Sequence, residues 1–236
     1  KKAMGRPDMP VSEATVFCTT IEAEGLDIRS ENYPKLQCSA EQLQGYVPPV
    51  TGITPVDGFG NFLTRKLFTY NAASCIIAYL GWRKGYTSYG EAANDPEILA
   101  KLDANYAVTN RVLCRVFGYT EEDQTQFALL SREKFTNREI ADTIERNARE
   151  PHRKLGPEER IIGPMKLIAE QGEDVSVLVE TAAAMLLSDS DRETKWKELR
   201  AAHTDEELLE SIAGLPENDP LSRRIVEKAT ELRGRA

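Results

Sequence analysis

Helix start and stop signals recur along the chain from about residue 60 onward, whereas strand alternation is absent there. Asp95 followed by Pro96 has the form of an N-cap with a first-turn proline, and it predicts a helix running to about Gly118. Thr204 and Glu207 have the spacing of a capping box before "EELLESIAG". Because no fixed-period repeat accompanies these signals, we expect a mainly α, irregular multi-helix domain and not a solenoid.

Further helices are predicted from the same kinds of signal. The apolar run from about residue 60 to Leu80 is helical in pattern, with Gly81 placed as a left-handed C-cap. Thr136 and Glu139 predict a second capping box, opening "NREIADTIERNARE", which Pro151 would close. "DVSVLVETAAAMLLS" is predicted as a buried helix and "PLSRRIVEKATELRG" as a final amphipathic one.

Two segments that contain prolines lead to separate predictions. Gly156 and Pro157 are expected to introduce the helix "EERIIGPMKLIAEQ", and Pro164 is expected to bend it. The segment "GYVPPVTGITPVDGFG" is too rich in proline and glycine to predict a regular element, so we interpret it as a connector. Before it, "ATVFCTT" and "GLDIRS" are possible short strands. We therefore divide the chain into an irregular lead over residues 1–60 and a helical domain over residues 61–236.

Composition excludes several classes of protein. The 236 residues are 41% hydrophobic, yet no run approaches the roughly 18 apolar residues that span a bilayer. The first ten residues also lack a signal-peptide core, so we expect a cytoplasmic protein without a membrane. The formal charge of −8 argues against nucleic acid as a partner. Four widely spaced cysteines and two histidines suggest reduced thiols and no metal site.

The motifs of nucleotide-binding domains are missing. "DGFGNF" has the first two glycines of a G-x-G-x-x-G turn and no third, and no P-loop is present. The chain begins at Lys1 without a methionine, from which we expect a segment of a longer protein.

Three polar residues interrupt the apolar helix "RKLFTYNAASCIIAYLGWRKG": Lys66, Asn71 and Ser74. In a regular helix Asn71 and Ser74 share a face, and Lys66 lies about 80° from Ser74 and two turns earlier. A desolvated lysine can move a proton near neutral pH, and an asparagine amide can donate to an alkoxide. The alternative is structural, with Lys66 extended to solvent and the other two bonded to nearby backbone.

A second polar cluster lies in "RNAREPHRKLGPEER", where four cations accompany one acid between residues 146 and 154. Such a cluster can clamp a phosphate or a row of hydroxyls. The alternative is a set of cations that favour a helix C-terminus. His152 in this basic loop is more typical of a surface residue than of a catalytic base. The four cations are Arg146, Arg149, Arg153 and Lys154.

Three stretches resemble the mannitol dehydrogenase family, and in particular its mannitol-1-phosphate 5-dehydrogenase branch. "RKLFTYNAASCIIAYLG" resembles the helix that carries a Lys-x4-Asn-x2-His signature in the C-terminal domain. "KFTNREIADTIERNAREPHRKLGPEERIIGP" is similar to a second block with an "RKL" turn and a "DRLIGP"-like segment, and "LLESIAGLPENDPLSRRIVEKA" to the closing helices. The blocks follow the family order and span residues from about 45 to 230.

The resemblance implies a domain like the C-terminal domain of 6-phosphogluconate dehydrogenase, taken from an NAD-dependent oxidoreductase that acts on CH–OH groups. NAD would be bound mainly by an N-terminal Rossmann domain absent from this chain, so the chain alone is expected to be inactive and to bind no nicotinamide cofactor with useful affinity. Lys66 would be the general base and Asn71 part of the oxyanion hole. Arg146 and Lys154 match positions that contact the distal hydroxyls or phosphate, with Arg149 and Arg153 beside them.

Ser74 departs from the signature, which has histidine there, and this places the substrate in question more than the fold. The expected substrate is a polyol or sugar phosphate, of the mannitol-1-phosphate and fructose-6-phosphate type. Two alternatives stay open: a hexuronate reductase of the same family, and a non-catalytic helical module for binding or dimerisation. The sequence leaves the oligomeric state and the choice of NAD or NADP open.

Overall fold

The structure is a computed structural model, and it describes residues 11–22, 25–46, 49–139 and 141–234. The chain divides into two compact units, with the division between Lys66 and Leu67. Sequence reasoning places this division somewhat earlier, at residues 60 and 61. Residues 1–10 of the expected lead and residues 47–48 of the expected connector lie outside the described residues.

Within its described residues, the first unit contains five short strands and two helices. Strand β4 forms the centre of a three-stranded sheet, antiparallel to β1, with Ala14 opposite Cys38, and parallel to β5, with Leu36 opposite Ile53. Strands β2 and β3 form a separate antiparallel hairpin. The elements are β1 Ala14–Thr15, β2 Thr20–Glu22, β3 Ile28–Ser30, β4 Leu36–Ser39, α1 Ala40–Leu43, β5 Ile53–Val56 and α2 Phe59–Lys66.

The expectation of short strands near the N-terminus is confirmed, but the connector interpretation of "GYVPPVTGITPVDGFG" is wrong in part. Its residues Ile53–Val56 form β5, which pairs with β4 in the parallel orientation. Parallel neighbours require a crossover, and α1 with the following turns supplies it. Pro55 is compatible with this strand because β5 is an edge strand in the described sheet.

The regular elements among the described residues of the second unit are all helices, and an isolated bridge between Ser88 and Thr143 is the one β-type pairing described there. Helix α10 packs against α3, α5, α9 and α13, and these helices bury the main hydrophobic core. The elements are a π turn Leu67–Asn71, α3 Ala72–Arg83, α4 Tyr89–Ala92, α5 Pro96–Phe117, α6 Glu121–Thr136, α7 Ile144–Ala148, α8 Pro151–Lys154, α9 Ile162–Glu170, α10 Ser176–Leu187, α11 Thr194–Ala202, α12 Asp205–Ala213 and α13 Pro220–Arg233.

Several predicted caps are confirmed. The Asp95 carboxylate accepts from the backbone N–H groups of Glu97 and Ile98, and α5 ends at Gly118 with φ of 75°. Thr204 and Glu207 form the reciprocal capping box that opens α12. None of the helices in the described ranges is both long and apolar enough to cross a bilayer.

Gly81 is not the C-cap that the sequence predicts. Helix α3 continues to Arg83, and Gly81 is buried inside it. A β-carbon built on Gly81 would lie 2.7 Å from the β-carbon of Ala92 and 2.9 Å from Cδ1 of Ile144. The glycine is therefore required because α4 and α7 approach α3 closely, while Gly85 with φ of 78° makes the turn after the helix.

Two other local predictions are wrong. Thr136 is the last residue of α6 and its hydroxyl donates to the carbonyl of Arg132, so it opens no helix. The following helix, α7, starts later, where the Thr143 hydroxyl accepts from the Arg146 N–H. Pro164 is the third residue of α9, in the first turn, where backbone N–H groups have no intrahelical acceptor, so it is accommodated there and interrupts no helix interior.

Candidate functional site

The helix that carries the three predicted polar residues is irregular at their position. Residues Leu67–Asn71 form a π turn, in which backbone hydrogen bonds run from i to i+5. Thr69 and Tyr70 within this turn are buried, and Asn71 is half-buried. Because π turns are rare and frequently occur at functional sites, this irregularity draws attention to the segment independently of its polar residues.

Ser74 stands in the first turn of α3 after the π turn, in a helix that is otherwise almost entirely buried. It is half-buried, and it lines a small pocket of about 190 Å³ in the second unit. The pocket also contains all four cations that the sequence singled out. Its lining residues are Ser74, Cys75, Arg146, Asn147, Arg149, Arg153, Lys154 and Arg160.

A sharp turn between α7 and α8 brings the cations on the two helices together. Glu150 has φ of 57° and ψ of 50°, a left-handed conformation that a residue with a β-carbon adopts at a cost of about 1 kcal/mol. Pro151 then starts α8, so that Arg149 and Lys154 both line the pocket from opposite sides of the turn. Backbone strain of this kind persists where the surrounding structure imposes it, as at binding sites.

The carbonyl groups at the end of α7 are held by two buried side chains. The Tyr79 hydroxyl on α3 donates to the Ala148 carbonyl at 2.6 Å, and the Lys154 ammonium donates to the Asn147 carbonyl at 2.6 Å. Carbonyls in the last turn of a helix lack intrahelical partners, so these contacts satisfy them. They also fix the position of α7 relative to α3 and α8.

The pocket has an excess of positive charge. Five cations line it, and the ion pairs described for them among the covered residues involve the carboxylates of Asp142, Glu150 and Glu159. Arg146 pairs with Asp142 at 2.7 Å, and Arg153 pairs with Glu150 at 2.9 Å. Arg149 is exposed and makes no ion pair or hydrogen bond within the ranges that the structure covers. An arrangement of this kind suits an anion.

Lys154 is a buried cation with a lowered pKa. The residue is only 6% exposed, and burial lowers the pKa of its ammonium to about 8, with the nearby arginines acting in the same direction. Burial likewise raises the pKa of the neighbouring Cys75 thiol to about 11, so the thiol stays neutral at pH 7. Lys154 therefore remains charged at neutral pH at a cost that a bound anion would reduce.

Lys66 and Asn71 are not among the lining residues of this pocket. Lys66 belongs to the first unit, where its ammonium donates to the Val16 carbonyl at 2.7 Å and lies 5.0 Å from the centre of the Phe17 ring. The pocket therefore brings Ser74 together with the four cations predicted from sequence, whereas Lys66 has other described neighbours. His152 does not line the pocket, and its Nδ1 is buried without a hydrogen-bond partner among the described residues.

Sequence reasoning missed Arg160, Asn147 and Cys75 as pocket residues. Arg160 lies in the turns before α9, and its guanidinium pairs with Glu159 at 3.0 Å. A signal was present, because Arg160 is part of the second block that resembles the family. The sequence predicts a helix that starts at Glu158, so Arg160 was assigned to a regular helix and not to a binding site.

The glycine turn "DGFGNF" leads from β5 into α2, which is where a nucleotide phosphate would bind in a Rossmann unit. In the structure a carboxylate takes this place, because Glu41 accepts from the Gly58 N–H at 2.6 Å. Hydrogen bonds from the backbone N–H of Glu41 itself, from the Gly58 N–H and from the Ser39 hydroxyl lower the pKa of Glu41. The turn is thus capped by an acid of the same unit and does not fit a pyrophosphate.

Comparisons with a family model and with curated proteins agree on one family. A family model described as "Mannitol dehydrogenase C-terminal domain" matches residues 59–232. The mannitol-1-phosphate 5-dehydrogenase of Anoxybacillus flavithermus is 34% identical over 185 residues, covering 77% of this chain and 49% of that protein. The enzyme of the same name from Paenarthrobacter aurescens is 30% identical over 197 residues, covering 84% of this chain and 52% of that protein.

Solved structures share the fold. Pseudomonas fluorescens mannitol 2-dehydrogenase, in a ternary complex with NAD and D-mannitol, superposes with a TM-score of 0.75 at 18% identity, covering 95% of this chain and 52% of that one. A substrate-free D-sorbitol dehydrogenase gives a TM-score of 0.70 at 15% identity, with the same coverage. The chain thus spans about half the length of the curated relatives it matches.

Proposed function

The chain belongs to the mannitol dehydrogenase family, as its C-terminal domain, and we propose that it is the substrate half of an NAD-dependent dehydrogenase that acts on a polyol phosphate. The observation that supports this most is the pocket beside Ser74, where five cations surround about 190 Å³ of space. The names of its relatives are in agreement, since they are mannitol-1-phosphate 5-dehydrogenases.

The charge of the pocket favours a phosphate ester over the carboxylate of a hexuronate. A phosphate monoester carries between about −1.5 and −2 at pH 7, whereas a carboxylate carries −1. Five cations that line one small pocket suit the more highly charged phosphate. Arginine forks also bind phosphate oxygens in pairs, and Arg149 is exposed for such a contact.

Lys66 is proposed as the general base. NAD, held by an N-terminal Rossmann domain, supplies a hydride acceptor when it is bound. A neutral lysine has two hydrogens and one lone pair, so Lys66 can keep its hydrogen bond to Val16 while the lone pair accepts the proton of the alcohol. The same group returns the proton in ketose reduction.

Asn71 and Ser74 are proposed to act on the oxygen atoms of the substrate. The Asn71 amide donates to the developing alkoxide, which gains negative charge as hydride departs. The Ser74 hydroxyl lies beside the cation pocket, where it orients a hydroxyl near the phosphate. Because serine is shorter than the histidine of the family signature and never cationic, this position tunes the choice of substrate.

The experiment uses the full-length protein that contains this chain. NAD reduction is measured with mannitol 1-phosphate, glucitol 6-phosphate, free mannitol and a hexuronate-derived alcohol. We expect a kcat/KM for the phosphates at least about tenfold above that for free mannitol, the value of one charge-assisted contact. Preference for the sugar acid would identify a hexuronate reductase, and no turnover of any substrate would favour a non-catalytic module. The free cysteines fit a reducing compartment, and we place the reaction in the cytoplasm.

Two variants separate the roles. Lys66→Ala should lower kcat by about two to four decades with little change in NAD affinity, because positioned acid–base catalysis contributes that much. Lys195→Ala, which removes an exposed lysine on α11, is the matched control. Ser74→His should change the preference among polyols and keep turnover. Wild-type kcat in Lys66→Ala at every pH would refute the assignment of the base.

The pocket has its own test, which needs no cofactor. Arg149→Ala should weaken binding of a polyol phosphate by about tenfold, since a hydrogen bond to a charged group contributes about 1.5 to 3 kcal/mol. Arg149 leaves no carboxylate unpaired when it is removed, in contrast to Arg153. Arg223→Ala, an exposed arginine on α13, is the control. Unchanged affinity in Arg149→Ala would exclude this pocket as the phosphate site.

A further inference from the structure

A buried amide lies beneath the π turn. Gln124 on α6 is fully buried, and its Nε2 donates to Asn110 Oδ1 on α5 at 2.9 Å and to Thr69 Oγ1 in the π turn at 3.4 Å. Thr69 itself is 1% exposed. One side chain thus bridges two long helices and the irregular turn.

Burying the side chains of Gln124 and Thr69 costs free energy of desolvation, and close packing of the core does not require polar side chains at these positions. An amide or hydroxyl in the core is destabilising unless it is hydrogen-bonded, and apolar side chains of the same shape fill such space at no comparable cost. A satisfied polar network does restrict geometry, because its hydrogen bonds have defined lengths and directions. The network of Gln124, Asn110 and Thr69 therefore selects one backbone conformation for the turn.

Aromatic contacts from the same helix reach the neighbouring residue of the turn. The Tyr70 ring meets Phe127 edge-on with centroids 5.0 Å apart, and Phe135 with centroids 6.2 Å apart. Both phenylalanines are on α6. Helix α6 therefore contacts consecutive buried residues of the π turn, one through a hydrogen bond and one through its ring.

We propose that Gln124 is a positioning residue that holds the π turn, which contains Asn71, and so sets the rotation at which α3 presents Ser74. This rests on the proposed function. A π turn contains one residue more than an α turn, and each residue of an α-helix adds about 100° of rotation. If the turn relaxed to α-helix, every later side chain would be rotated by about that angle.

Four variants test this. Gln124→Met removes the donor at nearly constant volume, and Thr69→Val removes the acceptor while keeping the shape. Thr69→Ser retains the hydroxyl and should restore wild-type behaviour. Thr181→Val on α10 is the control, because Thr181 is equally buried but its hydroxyl donates to the Val177 carbonyl, outside the π turn.

The first measurement is amide hydrogen exchange on the full-length protein. Exchange at residues 67–71 should be at least about tenfold faster in Gln124→Met and Thr69→Val, with unchanged protection of α10, because local opening is separable from global unfolding. Thr69→Ser and Thr181→Val should exchange like wild type. Equal exchange at residues 67–71 in Gln124→Met and wild type would overturn the proposal.

The second measurement is steady-state kinetics with the preferred polyol phosphate. Gln124→Met and Thr69→Val should lower kcat by about ten- to a hundredfold with KM within about threefold, since misplaced groups lose transition-state contacts while the phosphate pocket is intact. A fall in kcat that Thr69→Ser does not reverse would overturn the positioning role. If the wild type turns over no substrate, the proposed function fails, and the exchange measurement alone decides whether Gln124 anchors the turn.

Discussion

Replacement of Lys154 by methionine should stabilise the protein at neutral pH, although it removes a residue of the proposed phosphate pocket. Lys154 is 6% exposed, and burial lowers the pKa of its ammonium from 10.5 to about 8. At about 1.36 kcal/mol per pKa unit, the charged form costs the folded state about 3 kcal/mol at pH 7. Methionine has a similar length and carries no charge to desolvate.

The substitution also has an unfavourable part. The ammonium donates to the Asn147 carbonyl at 2.6 Å, and a buried carbonyl without a partner costs about 1 to 3 kcal/mol. The net expectation for Lys154→Met is a gain of about 1 kcal/mol at pH 7. Residues that bind charge in a pocket are commonly kept at such a cost to stability.

The pH dependence gives the sharper test. Between pH 8 and 10.5 the unfolded chain holds the Lys154 proton and the folded chain releases it, so wild-type stability rises through this window. The difference in unfolding free energy between wild type and Lys154→Met should therefore change by about 3 kcal/mol in favour of wild type, the other titrating groups being common to both.

Urea unfolding followed by circular dichroism at half-unit pH steps from 7 to 10.5 measures this difference. Lys195→Met, at an exposed lysine on α11, controls for the loss of a surface charge. A difference between wild type and Lys154→Met that stays constant with pH would refute the reasoning. Phosphate affinity of the wild type should also fall above about pH 8, where Lys154 loses its charge.

Three further predictions concern stability measured by urea unfolding. Gly81→Ala should cost about 1 to 3 kcal/mol by overpacking, since the new β-carbon would lie 2.7 Å from that of Ala92, and a neutral result would contradict the close helix approach. Asp95→Ala should cost about 2 kcal/mol at pH 7, because the carboxylate caps α5 and pairs with Lys84 at 2.8 Å. The Lys84 hydrogen bond holds the pKa of Asp95 below its usual range, so this loss should shrink as pH falls below about 4, and a pH-independent loss would be inconsistent with the ion pair. Pro164→Ala should change stability by less than about 1 kcal/mol, because the first turn tolerates proline, whereas a gain near 3 kcal/mol would indicate a strained interior position.

Helix ends with a nearby side-chain acceptor were readable from sequence. Asp95 and Thr204 cap their helices through backbone N–H groups two or three residues away, and Gly118 ends α5 within the same turn. Such signals involve atoms separated by only a few residues, so the local sequence contains both partners. The Thr136 prediction failed because Thr136 is the last residue of another helix, α6. The local capping pattern does not distinguish a residue that opens a helix from one that ends the preceding helix.

The composition of the candidate site was largely readable, and its arrangement was not. Charge clustering identified Arg146, Arg149, Arg153 and Lys154, and the structure places all four in one pocket with Ser74. The angles predicted between Lys66, Asn71 and Ser74 around the helix axis assumed a regular α-helix. A π turn interrupts it, and the contacts that accompany this turn come from residues about 55 positions away, such as Gln124.

The sequence by itself determined the helical class, the limits of α5, α12 and α13, and the cluster of basic residues that the structure places in one pocket, because propensity, capping and charge act over a few residues. Only the tertiary structure decided that Gly81 is needed for helix packing, that Ile53–Val56 pairs as a parallel strand, and that Lys154 is buried with a lowered pKa. These features depend on which distant segments come into contact. The free energy of such contacts is a property of the assembled core, and the local sequence contains only one of the two partners.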